Sequence, residues 1–239
     1  MSTLQRERRD GVEIVRLDRP EVRNAMNTEL LEALLTTLGE LAADATLRAL
    51  VLSTTSERAL SAGADVGEEL DDADGVVRME RFAELYAALD AFPAPTVAVC
   101  VGNCVGAGAE VAAGCDLRVA GDNLKLAWAG GRLGVPVGPA RLVPLVGLSR
   151  AKDLILTGRV VGAEEAERIG FVHRLAPAAE AEAAAVALAV EASQGPPQAM
   201  RDLKAMFRDL EGTAGRVAHE NDLLVKFQRT GSGLPRRGG

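Results

Sequence analysis

The sequence predicts an α/β fold whose C-terminal part is helical. Short apolar or alternating segments alternate with amphipathic helical patterns up to about residue 140, which indicates strands and helices in turn. After Leu142 the pattern is helical only. No low-complexity linker separates the two parts. We therefore expect residues 1–190 to form the α/β core, and residues 191–239 to form a helical region, docked on the core or exchanged with a neighbouring subunit, with a flexible tail.

The N-terminal elements follow from the spacing of apolar residues. Residues 12–17 alternate as a strand does, and residues 18–21 turn the chain. A helix is predicted from Thr28 to Ala42, where leucines recur near helical spacing, with Asn27 as its N-cap. The next elements are predicted as a strand at 47–53, a helix at 78–91 with Phe82, Leu85, Tyr86 and Leu89 on one face, a buried strand at 95–101 and a strand at 117–120.

The later elements are predicted from helix start and stop signals. A serine or a Pro-Pro pair can begin a helix, and a glycine commonly follows its end. The predicted helices are 150–156 behind Ser149, 164–169 closed by Gly170, and a helix after Pro196-Pro197 that holds Ala199, Leu203, Met206 and Leu210 in line. We expect the glycine-rich stretch 231–235 to be loose.

Composition and charge exclude several classes of protein. Hydrophobic residues make up 48% and charged residues 26%, as in soluble globular proteins. The net charge of −7 argues against nucleic acid or an anionic membrane as the main partner, since both require a positive surface. The polar N-terminus has no signal-peptide pattern and no apolar stretch is long enough to span a membrane, so we expect a cytoplasmic protein. Three cysteines without zinc spacing predict buried thiols and no metal site.

The segment 102–110 carries the strongest chemical signal. A buried strand leads into glycines and alanines that open a helix, whose free N–H groups and dipole attract an oxyanion. Glu110 follows Ala107 by three residues and therefore projects from the same helix face. Its apolar neighbours favour burial and a shifted pKa. The alternative is that the small residues serve helix–strand packing and that Glu110 is a solvated surface charge.

A second small-residue segment, residues 60–66, follows the second strand of this region. It can supply another N–H that converges on the same point. Asp65 fits the role of a cap for the following helix better than a catalytic role.

These two segments and others resemble the crotonase (enoyl-CoA hydratase/isomerase) superfamily. Residues 61–66 are similar to the Ala-Gly-Ala-Asp oxyanion loop of that family, and residues 106–110 to its Gly-Gly-Gly-x-Glu helix start. Residues 17–27 resemble its N-terminal signature, and residues 115–120 the strand after the oxyanion helix. The ordered set spans residues from about Gly11 to Ala205.

The resemblance implies a spiral of ββα turns, assembled as a homotrimer or hexamer, that acts on an acyl-CoA thioester. It implies neither a metal nor a separate cofactor, because coenzyme A is part of the substrate. The thioester carbonyl would accept hydrogen bonds from the N–H groups of Ala64 and Ala107, which stabilises an enolate, and Glu110 would move the proton.

The resemblance also implies a set of substrate-binding residues. Arg23 would lie near the CoA phosphates, and the backbone around Ala25, Ala62 and Ala64 near adenine and pantetheine. Lys204 stands where a C-terminal lysine of the family often contacts CoA. The alternative is that it is a cation on the surface of a helix. The remaining expected contacts are Ser61, Asp65, Val66, Gly106 and Gly130.

The sequence departs from the family at the second catalytic carboxylate. Hydratases of the family carry a Pro-Glu pair that aligns here with Ala129-Gly130, and the loop after Gly134 is shortened. One carboxylate suits double-bond isomerisation at least as well as hydration, because a single base can remove and return a proton. Thioester hydrolysis, decarboxylation and carbon–carbon cleavage remain alternatives, with Arg132 as a ligand for a substrate carboxylate or as a surface residue. A non-catalytic acyl-CoA-binding or RNA-binding relative is the rival outside enzymes.

Overall fold

The computed structural model describes residues 3–231 and 233–234. In this part of the chain strands and helices alternate first and helices follow, which confirms the predicted fold class. The strands are β1 (Leu4–Arg9), β2 (Val12–Leu17), β3 (Ala49–Thr54), β4 (Ala59–Ser61), β5 (Thr96–Cys100), β6 (Asn103–Val105), β7 (Leu117–Gly121), β8 (Lys125–Ala127) and β9 (Arg174–Ala176). The helices are α1 (Thr28–Ala43), α2 (Asp72–Asp90), α3 (Ala107–Gly114), α4 (Pro139–Val146), α5 (Leu148–Thr157), α6 (Ala163–Arg168), α7 (Ala181–Ala192), α8 (Pro197–Glu211) and α9 (Thr213–Thr230).

Two sheets are built by a repeating path of the chain. One sheet has the strand order β1-β2-β3-β5-β7-β9, and the other has the order β4-β6-β8. Consecutive pairs of strands, β3 then β4, β5 then β6, β7 then β8, each place one strand in the larger sheet and the next in the smaller one. Apart from the antiparallel β1–β2 hairpin, the strand pairs are parallel. This is the expected spiral of ββα turns.

The larger sheet is covered by helices on both faces. Leucines of α1 and aromatic residues of α2 pack with Leu50 and Leu52 in the main core. On the other face α7 packs its small residues Ala181 and Ala185 against valines of the central strands. Burial on both faces explains why the central strands read as continuous apolar runs rather than as alternating patterns.

Several boundaries of helices and strands match the predictions, but the start of α2 does not. Asn27 caps α1 as expected, since its side chain accepts a hydrogen bond from the Leu30 N–H at 3.1 Å. Helix α2 begins at Asp72, not near Arg78, and its N-cap is Asp71, whose carboxylate accepts from the Asp74 N–H at 2.7 Å. The first turn of α2 is polar, so apolar spacing could not reveal it. The prediction that Asp65 caps this helix is therefore wrong.

Two further sequence predictions are corrected. Ser149 lies inside α5, which begins at Leu148 directly after Gly147, a residue with a φ of +81°. The strand β1 was not expected in the charged N-terminus. Its arginines Arg6 and Arg8 both pair with Glu13 of β2, at 2.9 and 2.7 Å, so cross-strand ion pairs replace apolar contacts on that side of the hairpin.

The two C-terminal helices differ in their contacts. Helix α9 lies on α2, where the Asn221 side chain donates a hydrogen bond to the Ala83 carbonyl at 2.8 Å and Leu224 enters the main core. Helix α8 instead leaves apolar side chains in contact with solvent, namely Leu203, Met206, Phe207 and Leu210. Of the stretch expected to be loose, Ser232 and Pro235 lie outside the described residues. Among the helices that are described, none combines the length and apolar character needed to cross a membrane.

Candidate active site

The segment 23–26 lies directly against the segment that follows β4. The Met26 N–H donates to the Gly63 carbonyl at 2.8 Å, and the Asp65 N–H donates to the Met26 carbonyl at 2.9 Å. The Ala62 N–H donates to the Arg23 carbonyl at 2.9 Å. Two motifs that are separated in the sequence are thus hydrogen-bonded side by side.

The side chain of Asn24 holds this junction from inside. Asn24 is fully buried at a left-handed φ of +51°, a conformation that asparagine tolerates better than most residues. Its amide group donates to the carbonyls of Ala59 and Leu60, each at 3.1 Å. The Ser61 hydroxyl donates to the Asn24 carbonyl at 2.7 Å and accepts from the Gly63 N–H at 3.1 Å. Ser61 is therefore a buried structural contact of the loop.

The start of α3 packs closely on the same loop. A Cβ atom placed on Gly108 would lie 2.5 Å from the Ser61 carbonyl oxygen, so only glycine permits this approach. A Cβ placed on Gly63 would lie 3.7 Å from the nitrogen of Ala107. Within the described part of the chain, neither the Ala64 N–H nor the Ala107 N–H donates a hydrogen bond. Two free backbone donors therefore stand on adjacent segments, one of them at a helix N-terminus.

A cavity of about 200 Å³ opens beside these two donors. Ala64 and Ala107 border it, together with Gly130 and the apolar side chains of Phe82, Val137 and Leu224. Of the described residues that line it, only Tyr86 has a nitrogen or oxygen atom in its side chain. Such a cavity suits a hydrocarbon chain attached to a carbonyl group that the free N–H groups can bind.

Glu110 belongs to a buried group of charges. Its Oε2 accepts a hydrogen bond from Nε of Arg141 at 2.6 Å, and Nη2 of Arg141 pairs with Glu220. Glu220 also accepts from the Ala140 N–H at 2.8 Å. Glu110, Arg141 and Glu220 are 0%, 4% and 6% exposed. Burial raises the pKa of Glu110, and the charge of Glu220 raises it further, against the opposing effect of Arg141.

The carboxyl group of Glu110 does not itself line the cavity. Its Oε1 atom is buried and has no hydrogen-bond partner among the described residues. A Cβ placed on Gly138 would lie 3.2 Å from this oxygen, so Oε1 faces the backbone that follows Val137, a residue of the cavity wall. The wall that contains Val137 thus separates Oε1 from the cavity.

Arg141, Glu220 and Tyr86 surround the candidate site but were not predicted as site residues. The guanidinium carbon of Arg141 lies 4.4 Å from the centre of the Tyr86 ring, over its face. The sequence signals that could have identified Arg141 and Glu220 were weak. Arg141 interrupts an apolar helical segment, and Glu220 occupies an apolar spacing position between Val217 and Leu224.

Some of the other predicted binding residues line the cavity, and the rest lie beside the loop that borders it. Arg23 is exposed at a φ of +54°, and the Ala25 carbonyl accepts a hydrogen bond from Arg19. Ala62, Val66 and Gly106 line the cavity. Asp65 instead pairs with Arg19 at 3.1 Å and accepts from the Gly67 N–H at 3.0 Å. These contacts indicate that Asp65 stabilises the conformation of the loop.

Lys204 lies apart from this cavity. It is 8% exposed, pairs with Asp116 at 2.7 Å and donates to the Ala94 carbonyl at 3.0 Å. It lines a separate depression beside α8. Lys204 is thus neither a helix-surface cation nor a neighbour of Ala64 in this chain.

Arg132, Trp128 and the three cysteines lie outside the lining of the cavity. Arg132 is exposed and donates to the Thr157 carbonyl at 2.9 Å. Trp128 is buried, does not border the cavity, and packs edge-on against Phe171 with ring centres 5.4 Å apart. The three cysteines are buried and free. Within the described residues, no group of His, Cys, Asp and Glu side chains could hold a metal ion.

Comparisons with known proteins agree on one family. The sequence profile of the Enoyl-CoA hydratase/isomerase family matches residues 7–232. The 2,3-dehydroadipyl-CoA hydratase of Escherichia coli is 32% identical over 235 residues, which cover 96% of this chain and 92% of that protein. A Thermus thermophilus protein that bears an enoyl-CoA hydratase name is 37% identical over 212 residues, which cover 84% of this chain and 82% of that protein. A solved structure of a Bordetella parapertussis protein that bears an enoyl-CoA hydratase/isomerase name superposes with a TM-score of 0.86 at 28% sequence identity. The superposition covers 98% of this chain and 95% of that one.

Proposed function

Because the chain belongs to the enoyl-CoA hydratase/isomerase family, we propose that it binds an acyl-CoA thioester and stabilises the enolate of that thioester. In this proposal the thioester oxygen accepts hydrogen bonds from the N–H groups of Ala64 and Ala107. The observation that carries the proposal is the pair of unbonded N–H groups at the edge of one apolar cavity. Preorganised donors of this kind stabilise the charge that develops on the oxygen and do not need to reorient during the reaction.

Glu110 moves the proton in this proposal. It follows Ala107 by one helical turn, and its free Oε1 faces the wall of the cavity. The raised pKa of Glu110 means that its carboxylate holds a proton more strongly than an ordinary glutamate does, which suits a base that removes a proton from the ligand. In this proposal residues 135–138, which end at Gly138 with a φ of +120°, move aside so that Oε1 reaches the ligand.

Hydration and isomerisation are the two reactions that the site supports. Gly130 borders the cavity at the position where the resemblance expects a second carboxylate, which favours chemistry with one carboxylate. The names of the curated relatives favour hydration. Purified protein incubated with a panel of 2-enoyl- and 3-enoyl-CoA thioesters, with products identified by mass spectrometry, separates these reactions from hydrolysis, decarboxylation and carbon–carbon cleavage. Unchanged thioesters across the panel would contradict the proposal.

The same proposal includes a CoA contact at Arg23 and an oligomeric state of homotrimer or hexamer. Arg23 is exposed, and its carbonyl accepts a hydrogen bond from the N–H of Ala62, a residue that borders the cavity, which supports an electrostatic contact with phosphate. The exposed apolar side chains of α8 support a buried subunit interface. Sedimentation of the purified protein measures the oligomeric state. We place the enzyme in the cytoplasm, where free buried thiols such as these persist.

A further inference from the structure

The acyl cavity contains one polar side chain that the proposed reaction does not use. Tyr86 is 3% exposed and borders the cavity. Its hydroxyl group has no hydrogen-bond partner in the part of the chain that the structure describes. The other side chains of the cavity are apolar, so they offer this hydroxyl nothing to bond with.

An unpaired hydroxyl in such a cavity discriminates between ligands. Water can satisfy it while the cavity is open. A pure hydrocarbon chain displaces that water and leaves the hydroxyl unpaired, which is unfavourable in an apolar site. A chain that carries an oxygen atom at the right position restores the hydrogen bond. Sites built in this way reject analogues that lack the polar atom.

The surroundings keep the Tyr86 hydroxyl in its protonated form. Burial raises its pKa, and the nearby carboxylates of Glu110 and Glu220 raise it further. Arg141, stacked over the ring at 4.4 Å, opposes this effect without reversing it. The group is therefore a hydrogen-bond donor at neutral pH and not a base.

We propose that the Tyr86 hydroxyl donates a hydrogen bond to an oxygen atom on the acyl part of the ligand, beyond the thioester carbonyl. The preferred ligands are then acyl-CoA thioesters with a hydroxyl or oxo group on the chain, rather than plain hydrocarbon acyl-CoA thioesters. The inference rests on the proposed function, since it assumes that the cavity holds the acyl chain.

Two matched pairs of ligands test this contact. Pentanoyl-CoA and 4-oxopentanoyl-CoA differ only at carbon 4, and hexanoyl-CoA and 5-oxohexanoyl-CoA repeat the comparison one carbon further on. A 3-oxo thioester is avoided, because its readily formed enolate would bind the N–H groups of Ala64 and Ala107 without any contribution from Tyr86. Calorimetric titration of the full chain should give a Kd for one oxo ligand about tenfold lower than for its parent, as expected for a single hydrogen bond. Tyr86→Phe, which removes only the oxygen, should abolish the preference. Phe82→Leu, which reshapes the cavity but removes no hydroxyl, should retain it.

The tyrosine content offers a second readout that needs no variant. Tyr86 is the only tyrosine of the chain, so protein labelled with ¹³Cζ-tyrosine gives a single resonance from this phenol. The resonance should shift with the preferred oxo ligand and shift much less with its parent. Equal affinities for both pairs, or tight binding with an unmoved resonance, would overturn the inference and leave the proposed function standing. If no thioester binds at all, the proposed function fails first, and this inference fails with it.

Discussion

The Nε atom of Arg141 lies 2.6 Å from Oε2 of Glu110, and both side chains are buried. Because Arg141 is shared with Glu220, the site holds two carboxylates and one guanidinium away from bulk water. Buried charges of this kind are costly unless they are paired, so both carboxylates depend on Arg141. The arrangement links α3, which carries the candidate proton-transfer group, to α4 and α9.

Glu110→Gln should lower turnover of an accepted thioester by about 10²–10⁴-fold, the usual contribution of a positioned acid or base. The Kd for a non-reacting acyl-CoA should change little, because glutamine keeps the size of the side chain and can still accept from Arg141. Circular dichroism checks the fold, and Glu164→Gln, at an exposed position, is the matched control. Full turnover by Glu110→Gln would assign Glu110 to structure alone.

Glu220→Gln should move the acidic limb of the kcat/KM profile to lower pH. The negative charge of Glu220 raises the pKa of Glu110, so its removal favours the carboxylate form and lowers that pKa. Glu110 is then ionised, and active as a base, at lower pH. Asp222→Asn, on the exposed side of the same helix, changes the net charge equally and should leave the limb in place. A shift to higher pH would contradict the charge arrangement described.

Ala107→Pro should reduce kcat by about 10²–10³-fold, the usual effect of losing one oxyanion donor. Proline removes the N–H at the first position of α3, where helices tolerate it. Ala107→Gly keeps the N–H and should remain close to wild type. If both variants lose activity equally, the shape of the loop matters and the donor does not.

Gly130→Glu should raise the rate of crotonyl-CoA hydration above a low wild-type rate, since it supplies a second carboxylate at the cavity. The gain should be small, because a Cβ at this position lies 3.2 Å from Cγ1 of Val137 and forces the wall to adjust. Gly130→Ala introduces the same crowding without the carboxylate and should bring no gain. Rapid hydration by wild type would mean that another acid serves, and Glu68 and Glu69 are the next residues to test, followed by Asp72.

Gly108→Ala should lower the free energy of unfolding by about 1–3 kcal/mol, the usual range for overpacking. The new Cβ would meet the Ser61 carbonyl at 2.5 Å, so α3 must move away from the loop that carries Ala64. Gly39→Ala, on the exposed face of α1 with nothing within 4 Å, should instead stabilise by about 0.5–1 kcal/mol. Urea unfolding of both variants measures the difference, and equal stabilities would contradict the close approach.

The two N–H segments were predictable because small residues in a fixed order have few other uses. The glycines and alanines near Ala64 and Ala107 mark places where the backbone is approached closely, and Gly108 against Ser61 is such a contact. The partners of Glu110 were not predictable, because pairing depends on distant segments. Arg141 is 31 residues from Glu110 in the sequence and 79 from Glu220, and no local pattern joins them.

Local apolar periodicity also limited how much of the secondary structure could be predicted from the sequence. It defined α1, whose leucines face one core, and β2, whose apolar side chains are divided between the two cores. It missed β1, where charged side chains pair across a hairpin, and the polar first turn of α2. In both places the stabilising contacts are ion pairs and a side-chain cap, which apolar spacing does not report.

The position of Glu220 and Leu224 on α9 has a consequence for a protein made from its N-terminus onward. When the ribosome has joined residues 1–212, both N–H donors and Glu110 already exist, yet one carboxylate partner of Arg141 and one wall residue of the cavity do not. A nascent or prematurely terminated chain of that length therefore lacks the finished cavity around these residues. Among the described elements, α9 has to be made before the cavity wall and the buried charge group are complete.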